Sequence, residues 1–233
     1  MIDDRARKLL NPVLERAVTP LVRRGVHANA ITVLGFSFGV ASIVSISLRE
    51  NYLALSLWLA NRLLDGIDGV LARRSKPTDL GGFLDIVFDF IIYGGLLVGI
   101  AIGYPGVRLE AIVLLGTYYV SGTALLALSS ITERRSKTQM IPPEKNSKSI
   151  RFIGGLAEGG ETIIFYVIVM ALPRYAVISI DIFIAMVAIT AVQRVAIGIS
   201  CLSARCDGEF SQNECPSQTN SLGSKRESRS EVK

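Results

Sequence analysis

Histidine is almost absent from the 233-residue chain, which holds only His27. Imidazole is the commonest metal ligand among side chains, so a multi-histidine metal centre is excluded. The single ring reads as an interfacial side chain and is assigned no role. Cysteine is nearly as rare, with Cys201, Cys206 and Cys215 the three present. Their spacings match no zinc pattern; they read as free thiols, with Cys201 and Cys206 placed where juxtamembrane acylation occurs. Ten-residue segments of alternating polarity are missing, which excludes a transmembrane barrel, and no solenoid repeat occurs. Acidic and basic residues precede the first apolar block, so a cleavable signal peptide is not expected. Basic runs interleaved with aromatics are also lacking, and nucleic-acid binding is a poor reading of the net charge of +5.

What the chain has in abundance is apolar sequence: 50% of residues, with a mean hydropathy of +0.43. The apolar blocks are long enough to cross a bilayer, where about 20 residues span 30 Å of hydrocarbon. They predict an all-α polytopic membrane protein with six transmembrane helices, at about residues 30–48, 52–72, 81–103, 110–132, 153–173 and 176–200. Lys and Arg crowd the segment before the first span, the second and fourth connections and the tail, whereas Arg49, Arg108 and Arg174 stand alone in the other connections. By the positive-inside rule, an even span number places both termini on the cytoplasmic side. Residues 1–26 carry Leu9, Leu10, Val13, Leu14, Ala17, Val18, Leu21 and Val22 at helical spacing among cations, which reads as an interfacial amphipathic helix broken or kinked at Pro12 and Pro20. Asn29 is expected to cap the first span. Residues 27–202 form the membrane domain, and 203–233, polar almost throughout, read as a disordered cytoplasmic tail.

Four aspartates interrupt the apolar pattern: Asp65, Asp68, Asp85 and Asp89. An ionised carboxylate at a helix centre in a bilayer costs roughly 2.5 kcal/mol or more, so four of them require a compensating charge. Asp65 and Asp68 are spaced i, i+3, and Asp85 and Asp89 i, i+4, so each pair projects from one helix face. The turn-forming stretch Ser75 to Gly82 makes the two helices antiparallel neighbours, which lets all four carboxylates meet. Oxygen ligands of this charge favour Mg²⁺ or Mn²⁺ over zinc, and a pair of ions is consistent with phosphoryl-type transfer. Gly69, Ala72 and Gly81 leave room for a ligand beside them, and Arg73 supplies a donor fork suited to phosphate. The set describes a diphosphate site.

The run Asp65-x-x-Asp68-Gly69-x-x-Ala72-Arg73, followed by Gly81-x-x-x-Asp85-x-x-x-Asp89, resembles the motif of the CDP-alcohol phosphatidyltransferases. Asn29-Ala30-Ile31-Thr32 with Gly35 is similar to the stretch that opens that family's first span, so the resemblance covers about residues 25–200. One departure is the loop between Arg73 and Gly81, a residue shorter than the family pattern. Gly82 would restore its length but shorten the next gap, and Gly81 keeps the helical register of the second carboxylate pair. The resemblance implies transfer of a phosphatidyl group from a CDP-linked lipid such as CDP-diacylglycerol to an alcohol, with release of CMP, in phospholipid biosynthesis. It implies that Asp65, Asp68, Asp85 and Asp89 hold one or two Mg²⁺ or Mn²⁺ ions, with Asp89 also the catalytic base. It places Asn29, Thr32, Asp68, Gly69, Ala72, Arg73 and Gly81 around the CDP diphosphate. Membrane lipids, a homodimer partner and a bacterial inner-membrane location with a cytoplasmic site are further implications.

Other readings compete for some residues. A membrane aspartate is often the structural partner of an arginine, and Arg62 lies one turn before Asp65; Arg62 and Arg194 are alternatively partners for Glu158 and Glu161. Cytoplasmic-loop cations mostly set topology, yet Arg151 is the best candidate to meet a phosphorylated acceptor. Gly154, Gly155, Gly159 and Gly160 read as helix-packing positions. Asn61-x-x-x-Asp65-x-x-Asp68 faintly echoes intramembrane prenyltransferases, and a divalent-cation transporter is the non-enzyme rival, disfavoured by carboxylates at span ends beside Arg73. The acceptor stays open among glycerol phosphate, inositol phosphate, inositol, serine and choline.

Overall fold

A computed structural model describes residues 14–16, 18–22, 25–74, 78–138, 157 and 159–203. All regular structure among them is helical: α1 (Ala28–Ser47), α2 (Asn51–Arg74), α3 (Asp79–Gly103), α4 (Arg108–Thr138), α5 (Gly159–Ala171) and α6 (Ala176–Ser203), with short 3₁₀ turns at Pro105–Val107 and Pro173–Tyr175. The chain divides into a first unit, Met1–Gly198, and a second from Ile199 onward. Apart from the end of α6, these helices all belong to the first unit.

By length and composition four segments can cross a membrane: Ala28–Ser47, Asp79–Gly103, Pro105–Arg134 and Pro173–Ser200. The other two expected spans fall on α2 and α5. Helix α2 is long enough, but Asn61, Arg62, Asp65, Asp68, Arg73 and Arg74 dilute its apolar character. The 13 described residues of α5 reach only about 20 Å at 1.5 Å per residue. Val33, Leu53, Ile102, Ile112, Ile182 and Val192 are exposed on the outer faces, an excess of apolar surface that suits lipid contact and would be a liability in water.

The helix ends follow local chemistry. Arg49 takes φ 65° just beyond α1, and its N–H bonds the Ile46 carbonyl while the Glu50 N–H bonds that of Ser45. This is a Schellman closure, normally a glycine position. Here the arginine side chain compensates by donating to the Gly103 carbonyl and lying over the Tyr104 ring. Thr78 caps α3 by accepting the Gly81 N–H, with Asp79 in the first turn, where a carboxylate suits the helix dipole. Helix α1 starts one residue before Asn29. His27 holds the capping position without a side-chain bond, so the cap expected of Asn29 is not formed.

Packing turns on glycines that sequence patterning passed over. A Cβ on Gly99 would lie 2.9 Å from the Ile43 carbonyl oxygen, and one on Gly103 2.6 Å from that of Ile46. With Gly95 against Ile43 and Gly39 against Ile92, these positions let α1 and α3 approach backbone to backbone. Gly159, expected to be such a position, faces open space, and Gly154 and Gly155 lie outside the described residues. The core is built on the buried Trp58 and Tyr166, with Leu96, Leu97 and Ile100 of α3 and a stacked Phe165–Phe183 pair 4.2 Å apart. A smaller cluster seats Val18 on Val70 and Leu71, and Arg74 reaches Thr19 and Glu15. Residues 1–13, half of the expected amphipathic segment, lie outside the described residues, as does the tail from 204, while residues 14–16 and 18–22 are helical.

Candidate metal and nucleotide site

Only residues 75–78 separate α2 from α3; the two helices run antiparallel, each packed on α1, and face each other across the site. The helical period carries Asp65 and Asp68 on one face of α2 and Asp85 and Asp89 on one face of α3. All four line one narrow cleft with a free volume of about 10 Å³, room for about one water-sized particle. One oxygen from each of Asp65, Asp68 and Asp85 lies within 4.8 Å of the others. Asp68 is buried, Asp65 half-buried and Asp85 exposed.

Two carboxylates at that separation repel by about 3.5 kcal/mol at an effective dielectric near 20, before ionic screening. Three such pairs form a set that folding alone does not favour. The donors are all hard oxygens and differ in exposure from buried to open, so the set fits a divalent cation that keeps some of its water.

Asp89 is engaged differently. Its Oδ1 accepts a hydrogen bond of 2.7 Å from Arg62 Nη2, whereas Arg62 Nη1 stands 3.9 Å from Asp65. The arginine one turn before Asp65 therefore serves mainly the far carboxylate on α3. Of the glutamates expected to compete for it, Glu158 lies outside the described residues. Arg194 donates to the Ser121 hydroxyl and carbonyl.

Of the residues expected around a nucleotide, Asn29 and Gly81 meet at the start of α3. A Cβ on Gly81 would sit 3.0 Å from Asn29 Oδ1 and 3.1 Å from Thr78 Oγ1, whereas one on Gly82 would meet nothing. Of the two glycines, Gly81 is the one on which neighbours close. Thr32, whose hydroxyl also bonds the Ala28 carbonyl, reaches Asp68. The Arg73 side chain is exposed and folds back over Gly69, its Nη1 3.5 Å from where a Cβ would be; Ala72 is half-buried. Arg151 lies outside the described residues. Asp65 is nine residues from the end of α2 and Asp89 ten from the start of α3, about 14 and 15 Å along the axes.

Several residues around Arg62 hold the site together without standing out in the sequence pattern. Asn61 is buried, donates to the Gly35 carbonyl at 2.9 Å and accepts from Arg62 Nε. Tyr93 accepts from Arg62 Nη1 at 2.9 Å, and the guanidinium carbon lies 4.7 Å from the Trp58 ring centre. The available signal was spacing: Trp58, Arg62 and Asp65 follow at i, i+4 and i+7, and Tyr93 is one turn past Asp89. Phe36 and Phe88 stack at 4.1 Å, holding α1 against the carboxylate face of α3.

A family model, CDP-alcohol phosphatidyltransferase, matches residues 25–205. The chain belongs to the CDP-alcohol phosphatidyltransferases. This phosphatidyltransferase is 35% identical to inner membrane protein YnjF of Escherichia coli K12 over 196 residues, 84% of this chain and 94% of that protein. It is 34% identical to archaetidylinositol phosphate synthase of Pyrococcus horikoshii over 111 residues, 46% of this chain and 58% of the synthase. In fold it is similar to Mycobacterium tuberculosis phosphatidylinositol phosphate synthase. The structure of that enzyme with CDP-DAG bound gives a TM-score of 0.62 at 19% identity, over 81% of this chain and 94% of that one. A structure of the same enzyme with manganese and citrate gives 0.61 at 20% identity, over 79% and 88%. The family expected from the spaced motif is the family found. The phosphatidyltransferase is thus a transferase of phospholipid synthesis, and its long apolar helices are those of an integral membrane protein.

Proposed function

We propose that this phosphatidyltransferase takes a CDP-linked diacylglycerol and transfers its phosphatidyl group to an acceptor alcohol, releasing CMP. The observation that carries the reading is the convergence of Asp65, Asp68 and Asp85 within 4.8 Å in a cleft that Asp89 also lines. Those three would hold the divalent cation, Mg²⁺ or Mn²⁺, with a second ion shared with Asp89. Bound there, the metal supplies positive charge against the diphosphate and the leaving CMP. Arg73 and the Asn29, Thr32 and Gly81 cluster bind and orient the CDP moiety at the mouth of the cleft. Asp89 accepts the proton of the acceptor hydroxyl; the freed oxygen bonds to the phosphorus that carries the lipid, and the phosphoanhydride bond to CMP breaks.

Six spans remain our reading, with α2 and α5 crossing inside the bundle, where the carboxylates are paired or cation-bound rather than lipid-facing. The excess of cations in connections two and four then puts the site on the cytoplasmic side. We place phosphorylated polyols first among acceptors, supported by the archaetidylinositol phosphate synthase relative and by the cation-rich stretch around Arg151, and we expect a homodimer.

The test is purified protein with Mn²⁺ or Mg²⁺, CDP-diacylglycerol and a panel of inositol phosphate, glycerol phosphate, inositol, serine and choline. One acceptor should release CMP, and Asp89→Asn should abolish the release. Turnover of a polyprenyl diphosphate in place of the CDP-lipid, or full activity in the Asp89→Asn protein, would refute the respective assignment.

A further inference from the structure

We infer that Arg62 is a positioning residue for the transfer: it grips Asp89 by Oδ1 and so presents Oδ2 to the acceptor hydroxyl. This rests on the reading of Asp89 as proton acceptor.

The geometry is more than an ion pair. Arg62 sits halfway along α2, and its side chain is only 10% exposed, a placement that is costly unless the guanidinium is fully engaged. Nε donates to Asn61 Oδ1 at 2.9 Å, Nη1 to the Tyr93 hydroxyl at 2.9 Å and Nη2 to Asp89 at 2.7 Å. The Trp58 and Tyr93 rings lie 4.7 and 5.0 Å from its central carbon, within cation–π range.

Each of these partners is itself held. Asn61 donates to the Gly35 carbonyl of α1, and the Tyr166 hydroxyl of α5 donates to the Tyr93 carbonyl at 2.6 Å. Trp58 and Tyr166 are fully buried and pack edge to face at 5.2 Å. One guanidinium therefore references Asp89 to α1, α2, α3 and α5 together, which is what a preorganised catalytic group requires. A purely charge-balancing arginine would sit midway between its two carboxylates; this one is 2.7 Å from Asp89 and 3.9 Å from Asp65. Lysine could supply the charge but not the planar three-way fork.

The experiment compares Arg62→Gln, Arg62→Lys and Arg62→Ala with Asp89→Asn, in detergent or proteoliposomes, following CMP release with CDP-diacylglycerol and the best acceptor. Arg62→Gln should lower kcat on the order of 10²-fold, the usual effect of misplacing a reacting group by about 1 Å. The KM for CDP-lipid and the half-activating Mn²⁺ concentration should stay within about threefold, as expected when only the chemical step is affected. Arg62→Lys should fall between wild type and Gln, and added guanidinium ion should partly restore Arg62→Ala.

An inactive Asp89→Asn beside a fully active Arg62→Gln overturns the inference while leaving the Asp89 assignment intact. An active Asp89→Asn overturns that assignment first. A large rise in the Mn²⁺ requirement of Arg62→Gln would show that the arginine serves the cation set instead. Failure of all three Arg62 variants to elute and melt as folded protein, with no guanidinium rescue, would make the residue structural and likewise overturn the inference.

Discussion

Replacing Gly99 with alanine tests how α1 and α3 set up the site. The added Cβ would lie 2.7 Å from Ile46 Cγ2 and 2.9 Å from the Ile43 carbonyl oxygen. The second contact is backbone, so relief requires moving a helix rather than turning a side chain. Overpacking of this kind costs about 1–3 kcal/mol, against a helix-propensity gain of up to about 1 kcal/mol for removing a mid-helix glycine. Gly103→Ala, at 2.6 Å from the Ile46 carbonyl oxygen, should be at least as damaging. Gly95→Ala meets the flexible Cδ1 of Ile43 and should be milder, while Gly116→Ala meets nothing and should be neutral or stabilising. The assay is thermal and denaturant unfolding in one detergent, read together with the KM for CDP-lipid. That KM should rise in step with lost stability, because α1 carries Asn29 and Thr32 while α3 carries Gly81 and Asp85. An order in which Gly116→Ala destabilises as much as Gly99→Ala would refute the close-approach argument.

Chelation with EDTA should abolish CMP release, and Mn²⁺ or Mg²⁺ should restore it; Asp65→Asn, Asp68→Asn and Asp85→Asn should each raise the half-activating ion concentration by tenfold or more, about 1.4 kcal/mol of lost cation binding, and Mn²⁺-dependent kinetics would reveal any of the three that does not. Gly81→Ala should raise the KM for CDP-lipid several-fold by displacing Asn29, worth about 1 kcal/mol, whereas Gly82→Ala, in open space, should leave it unchanged. Single cysteines at Arg74 and Gly106, on opposite ends of α3 and its neighbours, should react with an impermeant maleimide from opposite faces of the membrane in a Cys201→Ser, Cys206→Ser, Cys215→Ser background; labelling of both from one face would contradict the orientation.

Much of the site was legible because helical spacing is a local property. Asp65 with Asp68 and Asp85 with Asp89 share faces by period alone, and the short connection set α2 and α3 antiparallel; that both pack on α1, and meet only across the cleft, was not legible. The spaced motif also carried the family. Less was legible where partner choice crosses between helices. Arg62 looked like the companion of Asp65 because the two are one turn apart, yet its guanidinium reaches across to Asp89 at 2.7 Å and stands 3.9 Å from Asp65. Asn29 looked like a cap, yet α1 begins a residue earlier, and its side chain meets Gly81.

By itself, then, the sequence determined the chemistry: carboxylates in helical register, small residues and an arginine beside them, and apolar segments that require a membrane. Tertiary structure alone decided how that chemistry is apportioned, with three aspartates drawn together and the fourth handed to Arg62. The reason is physical. Which residues share a helix face follows from 3.6 residues per turn, but which faces meet, and at what height, depends on how closely the helices pack. Here that depends on Gly39, Gly95, Gly99 and Gly103, whose missing side chains become meaningful only once α1 lies against α3.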